Sequence, residues 1–151
     1  MRYAKCVLAL LGLAAVLSAA DPIVGNWKLN PAKSKYKAGQ PPKEETVTIV
    51  EAGSDFDVTI KGTSAQGTPI STHYTVPAAG GQGKIIESPY DAVSRKRLGQ
   101  RQAEITSSKG GKVVMTVRTR VSADGKTLTA NVKGVDPTGS PVDGTAVLEK
   151  Q

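Results

Sequence analysis

The chain has 151 residues, a formal charge of +7, a single cysteine and six aromatic side chains, one of them tryptophan. That length suits one domain. The lone cysteine is Cys6, so disulfides, thiolate metal centres and cysteine nucleophiles are excluded from everything after it. Arg2 and Lys5 supply two of the excess charges. The rest favour loose contact with anionic surfaces. Basic residues are not interleaved with aromatics that could stack on bases, so nucleic acid is not an expected partner.

Residues 1–20 read as an export signal. Arg2 and Lys5 form a basic start, residues 7–17 an apolar run, and Ser18-Ala19-Ala20 a small-residue cleavage pattern ahead of Asp21-Pro22. The apolar run falls short of the roughly 18 residues that a membrane span needs. The expectation is a cleaved signal at 1–20, a single domain at 21–151 in the periplasm or outside the cell, no stable membrane span after cleavage, and a monomer.

The first expected strand is Gly25-Asn26-Trp27-Lys28-Leu29-Asn30, with Trp27 and Leu29 on one face and Lys28 on the other. Asn30-Pro31 ends it. Residues 31–44 carry four lysines and three prolines without apolar periodicity. They are expected to cross one end of the fold as an extended surface segment, with Tyr36 held on an apolar rim. From Thr46 the period is two. Val47 and Ile49 alternate with threonines, and Phe56, Val58 and Ile60 follow the turn at 52–55. Ile70 and Tyr74 frame the next strand, and residues 77–83 form a turn before a short strand at 84–87.

Residues 91–98 and 102–107 make a further pair. The longest strand, 112–121, places Val113, Met115, Val117 and Val121 on one face. Asp124-Gly125 marks a tight hairpin, followed by Leu128, Ala130 and Val132, and residues 144–149 close the chain. Residues 61–70 echo residues 133–142, both carrying lysine-glycine at the start and a later glycine-x-proline. This is either a duplicated unit or one turn geometry selected twice, and in both cases it predicts two hairpins of the same shape. Short strands joined by hairpin turns predict an all-β fold, an antiparallel up-and-down β-barrel of about 8–10 strands, with a β-sandwich as the alternative. The signal helix would precede it.

At Gly25-Asn26-Trp27-Lys28-Leu29 the chain resembles the calycin superfamily, the lipocalins and fatty-acid-binding proteins, whose first strand often reads Gly-x-Trp-x-Leu. The longer stretch through Asn30-Pro31 to Lys35-Tyr36, with the lysine-glycine and glycine-x-proline turns, is similar to small exported bacterial lipocalin-like proteins. The resemblance implies a barrel whose base is closed by Gly25 and Trp27, with a late-strand basic residue over the indole. The last strand offers no arginine there, only Lys150, so Arg118 and Arg120 on an earlier strand are candidate substitutes. The Thr-Asp-Tyr motif of lipocalins and the Arg-x-Tyr clamp of fatty-acid-binding proteins are missing, and residues 31–44 cannot form the helical lid of the latter.

A carrier of this kind takes a small apolar or amphipathic ligand, and the candidate ligand contacts are Trp27, Tyr36, Tyr74, Arg95 and Arg97. Arg95 and Arg97 share a face with Val93. If that face is the lumen, they need anionic partners. If the apolar face runs through Ala92 and Leu98 instead, both sit in water, the ordinary outcome. Alternation sets Arg118 and Arg120 opposite the valine stripe, towards solvent. His73 is the only histidine, so a zinc site lacks a second imidazole. It reads as an ordinary strand residue, and no metal, cofactor or catalytic group is expected. The alternative to a carrier is a non-enzymatic module that contacts an anionic surface or a protein through Lys33, Lys35, Lys37 and Lys43.

Overall fold

The computed structural model describes residues 19–151; the expected signal helix and Ser18, the first residue of its cleavage pattern, lie outside the described residues. The described chain is all strand and turn, because period-two alternation persists wherever apolar residues recur. No described helix is long and apolar enough to cross a membrane.

The strands are β1 (Gly25–Leu29), β2 (Lys35–Ala38), β3 (Glu44–Ala52), β4 (Asp55–Thr63), β5 (Pro69–Pro77), β6 (Gly81–Gln82), β7 (Lys84–Glu87), β8 (Ala92–Gly99), β9 (Gln102–Lys109), β10 (Lys112–Val121), β11 (Thr127–Val135) and β12 (Pro141–Lys150). They form one antiparallel sheet in the order β6-β8-β9-β10-β11-β12-β1-β3-β4-β5-β7, with β2 added on β12. The first long strand pairs with the last, Trp27 opposite Lys150 and Leu29 opposite Leu148. Residues 81–87 bridge the remaining seam. Gly81 and Gln82 pair with β8, Gly83 donates its N–H to the Val93 carbonyl at 2.8 Å, and the following residues pair with β5. The result is a nearly closed barrel. A continuous sheet rolled on itself replaces the two layers of a sandwich, and few ladder groups are left at an edge.

Three features differ from the sequence reading. The strand count is higher, because β2 and β6 lie in segments expected to be a crossing and a turn. Residues 30–34 bulge out after β1, and β2 then rejoins the sheet along β12, so the segment completes the wall instead of only crossing an end. The Ser34 hydroxyl accepts from the Val147 N–H at 3.0 Å, supplying the ladder acceptor that the bulge removes. Finally, a register shift between Val113 and Met115 turns Val113 outward, 62% exposed, while Met115 and Val121 stay inside.

The two echoed hairpins do share one geometry. Ser64 and Asp136 each donate an N–H to the carbonyl four residues on, and accept from Gly67 and Gly139. Both of those glycines have φ of 88°.

The core gathers at the end of the barrel that holds the β3–β4, β8–β9 and β10–β11 hairpins. Trp27, Val76, Val121, Leu148, Phe56 and Leu128 are each at most 3% exposed. This end is the base. The opposite end, with the segment 30–44 and the turns after β4 and β11, is the mouth.

Candidate ligand-binding site

At the base, Asp21–Val24 folds across the barrel's end. The Trp27 Nε1–H donates to the Ile23 carbonyl at 2.8 Å, which fixes the ring beneath this segment. The Lys150 ammonium lies 5.1 Å from the indole centroid, close enough for a cation–π attraction. Gly25, at φ 140°, makes this possible, since a Cβ there would come within 2.6 Å of the Lys150 Cε. The late-strand basic residue expected over the tryptophan is therefore Lys150. Arg118 and Arg120 do not close the barrel, because alternation along β10 turns both outward. Arg118 is exposed and its Nε donates to Glu104 at 2.7 Å, and Arg120 is exposed beside it.

Arg95 and Arg97, expected to share an environment, are separated. Arg95 points inward and is 7% exposed. Its Nη1 donates to the Ala78 carbonyl, and its guanidinium lies 5.0 Å from the Phe56 ring centroid. Burial lowers its pKa, and the nearby Asp21 opposes that shift. Arg97 is exposed, because the β8 register shifts between Arg97 and Gly99 at the base end. The alternative apolar face fails on Leu98, which is 45% exposed. A space of about 10 Å³ lies beside Arg95, between Asp21, Ile23 and Ala103.

The mouth differs. Starting at the upper edge of the base, where Val47 is the ladder partner of Trp27 and Ile105 that of Arg95, the inward residues Val47, Ile60, Ile85, Ile105 and Val117 remain only partly buried. Tyr74, opposite Val58 on β5, is buried, and its phenol is pushed up to about 12, chiefly by burial. Tyr36 faces inward from β2, its ring lying against Gly144. A Cβ on Gly144 would meet the Tyr36 ring carbons at 2.6 Å, so only glycine admits this packing. Burial, helped by the charge of Glu45, raises the Tyr36 phenol to about 12.

Glu45 is the residue that sequence reasoning missed. It occupies the inward register of β3, opposite Gly62 on β4. Solvent still reaches part of its surface, yet protein surrounds the carboxyl on nearly every side, and burial raises its pKa to about 7. Parity with Val47 and Ile49 was the signal that could have placed it inside.

A groove of about 840 Å³ runs along β2, β10, β11 and β12, with Tyr36, Val132 and Gly144 in its lining. Lys35, Lys37, Arg118 and Lys133 line it with a single acid, Asp143. The four lysines expected to act together do not. Lys35 and Lys37 enter this groove, Lys33 pairs with Glu149 at 2.6 Å, and Lys43 lies over the turn at Gly67. His73 also faces outward, 2.9 Å from the Asp57 carboxylate.

No family model matches the chain, and no curated protein matches it. Two solved barrels are similar to it in form. One is a redesigned β-barrel, mFAP1, bound to DFHBI, at 12% identity and TM-score 0.44, covering 85% of this chain and 95% of that one. The other is the zebrafish ileal bile acid-binding protein complexed with cholic acid, at 14% identity and TM-score 0.48, covering 86% of this chain and 99% of that one.

Proposed function

We propose that the chain is an exported, non-enzymatic carrier that takes a small apolar or amphipathic ligand into the mouth of its barrel. The observation that carries this reading is the set of inward apolar side chains that solvent still reaches, above a base whose side chains are almost wholly buried. Apolar walls with a few convergent polar groups are the usual make-up of a small-molecule site. Tyr36, Tyr74 and Glu45 supply the polar groups. Trp27 and Arg95 belong to the base beneath the ligand, and Arg97, exposed beside the β8–β9 hairpin, lies at the base end, away from the mouth. The basic start, short apolar run and small-residue pattern of residues 1–20 support export. The first-strand motif and the echoed turns support kinship with small exported bacterial lipocalin-like proteins. The outward position of His73, away from the mouth, favours binding over catalysis.

The test is calorimetric titration of the protein with a panel of fatty alcohols, fatty acids, alkylamines and sterols. Saturable binding of at least one class, weakened by Val117→Asp or Ile60→Asp at the wall, is the expected result. The absence of heat with every class sinks the reading.

The groove along β2 favours a second reading, contact with an anionic surface. Lysines at the groove predict retention on dextran sulfate that weakens with salt and falls in a Lys35→Ser/Lys37→Ser/Lys133→Ser variant. Retention equal to the parent's removes it.

A further inference from the structure

Among the described residues, the inward positions of the mouth carry one carboxyl, Glu45, that has no ion-pair partner, and Lys43, two residues before it, lies over the turn at Gly67. Ladder pairing between β1 and β3 stops at Lys28 and Thr46, so Glu45, one residue earlier on β3, has no ladder partner on β1. On its other side stands Gly62, which has no side chain. β2 pairs only with β12, which leaves a gap in the wall between β2 and the start of β3, with Tyr36 across it. Among the described residues Glu45 has neither a hydrogen-bond donor nor an ion-pair partner.

The nearby cations are committed elsewhere. Lys35 and Lys37 turn outward on β2 to the groove. Arg95 is inside, but it is held by Ala78 and stacked on Phe56, six residues along β3 and β4 from Glu45. Glu44 faces out, where its Oε1 accepts from the Thr63 hydroxyl at 3.0 Å. The two phenols on this side, Tyr36 and Tyr74, lose their protons only near 12, so they are neutral neighbours.

An enclosed carboxylate without a partner is costly, and a ligand that brings the missing positive charge removes that cost. Tyr36 adds a ring face to which an ammonium is also attracted. Resting on the carrier reading above, we propose that Glu45 is the head-group contact of the mouth and that the preferred ligand is a cationic amphiphile, an ammonium group on an apolar tail. The tail lies along Val47, Ile60 and Val117, and the ammonium stops at Glu45 and Tyr36. A carboxylate head group is repelled at the same place, and an alcohol is accepted without preference.

Three ligands with one tail test this: decylammonium, decanol and decanoate, each titrated below its micelle concentration into the full protein at pH 8. The expected order is decylammonium, decanol, decanoate, with the amine at least about tenfold tighter than the alcohol, the size of a single paired charge. Glu45→Gln brings amine and alcohol within about twofold of each other. In the unaltered protein the amine's advantage shrinks between pH 8 and pH 5 as Glu45 takes up its proton, and this needs no variant. Equal binding of amine and alcohol by the parent, or an amine preference that survives Glu45→Gln, overturns the assignment and leaves the carrier intact. If none of the three binds, the assignment falls, and the carrier reading falls with it only if the wider panel also gives no heat.

Discussion

Trp27, Phe56, Val76, Val121 and Leu148 fill the base, and even the buried guanidinium of Arg95 is satisfied there by a carbonyl and a ring. At the mouth the same alternating strands present Val47, Ile60 and Val117 to a space that water reaches, and Glu45 is left without a partner. Both ends follow the same period-two rule. They differ in side-chain volume and in whether each polar group is paired, so one end provides stability and the other provides a place to bind. Substitutions at the base should therefore cost folding energy at every pH, whereas relieving the mouth should gain it in a pH-dependent way.

The largest effect is expected from Trp27→Ala. Removing a wholly buried indole leaves a cavity, and such truncations cost about 3–5 kcal/mol. Urea unfolding followed by circular dichroism should show the midpoint falling sharply. A loss below about 1 kcal/mol would mean that the base is not where the barrel is held.

Glu45→Gln has the opposite sign. Burial raises the Glu45 pKa from 4.5 to about 7 in the folded protein. Below about pH 4.5 the carboxyl is protonated in both folded and unfolded chains, so it contributes no difference. Between the two values the unfolded chain gives up its proton first, and stability falls as pH rises. Above about 7 the loss is complete, and a shift of this size corresponds to about 3–4 kcal/mol. The variant should therefore be more stable than the parent by that amount at pH 8 and equal to it at pH 4. Thermal melts at the two pH values check this, and a variant less stable than the parent at pH 8 contradicts it.

The base was more legible in the sequence than the mouth. Trp27 was marked by its motif and Phe56, Val58, Leu128 and Val121 by strict alternation, because residues that must be fully buried leave a regular apolar trace. Arg95 was ambiguous. Alternation put it on a face with Val93, but composition favours solvent for a strand arginine, and only the Phe56 ring and the Ala78 carbonyl make its burial tolerable. Those partners come from distant strands. β2 was illegible because lysines and prolines mask a strand of four residues, and its attachment depends on a bulge and on the bare face of Gly144. Glu45 was overlooked for a related reason. An acid beside another acid at a strand's start looks solvated, and the register that turns it inward is set by β4. Val113 failed differently, since a bulge reverses parity without leaving a mark in the apolar pattern.

Lys150→Ala tests the covering of the base. The lysine is exposed, so its attraction to the indole at 5.1 Å is worth about 0.5–1 kcal/mol. The loss should appear as a small drop in urea midpoint together with a change in Trp27 emission. Lys150→Arg should retain both the stability and the emission. An unchanged spectrum in the alanine variant would mean that the cation does not act on the ring.

Arg118→Ala is expected to have the smallest effect, and it decides which basic residue serves the base. Its guanidinium pairs with Glu104 at 2.7 Å, but the arginine side chain is 68% exposed. Exposed pairs of this kind contribute about 0–1 kcal/mol and weaken with salt. Nothing connects Arg118 to Trp27, which lies on the inner side of the wall. The variant should therefore lose less than about 0.5 kcal/mol, keep the parent's Trp27 emission, and show no loss at all in 0.5 M salt. If it instead matched Lys150→Ala in both stability and emission, the outer surface of β10 would be coupled to the indole, and the division between a packed base and an independent outer wall would fail.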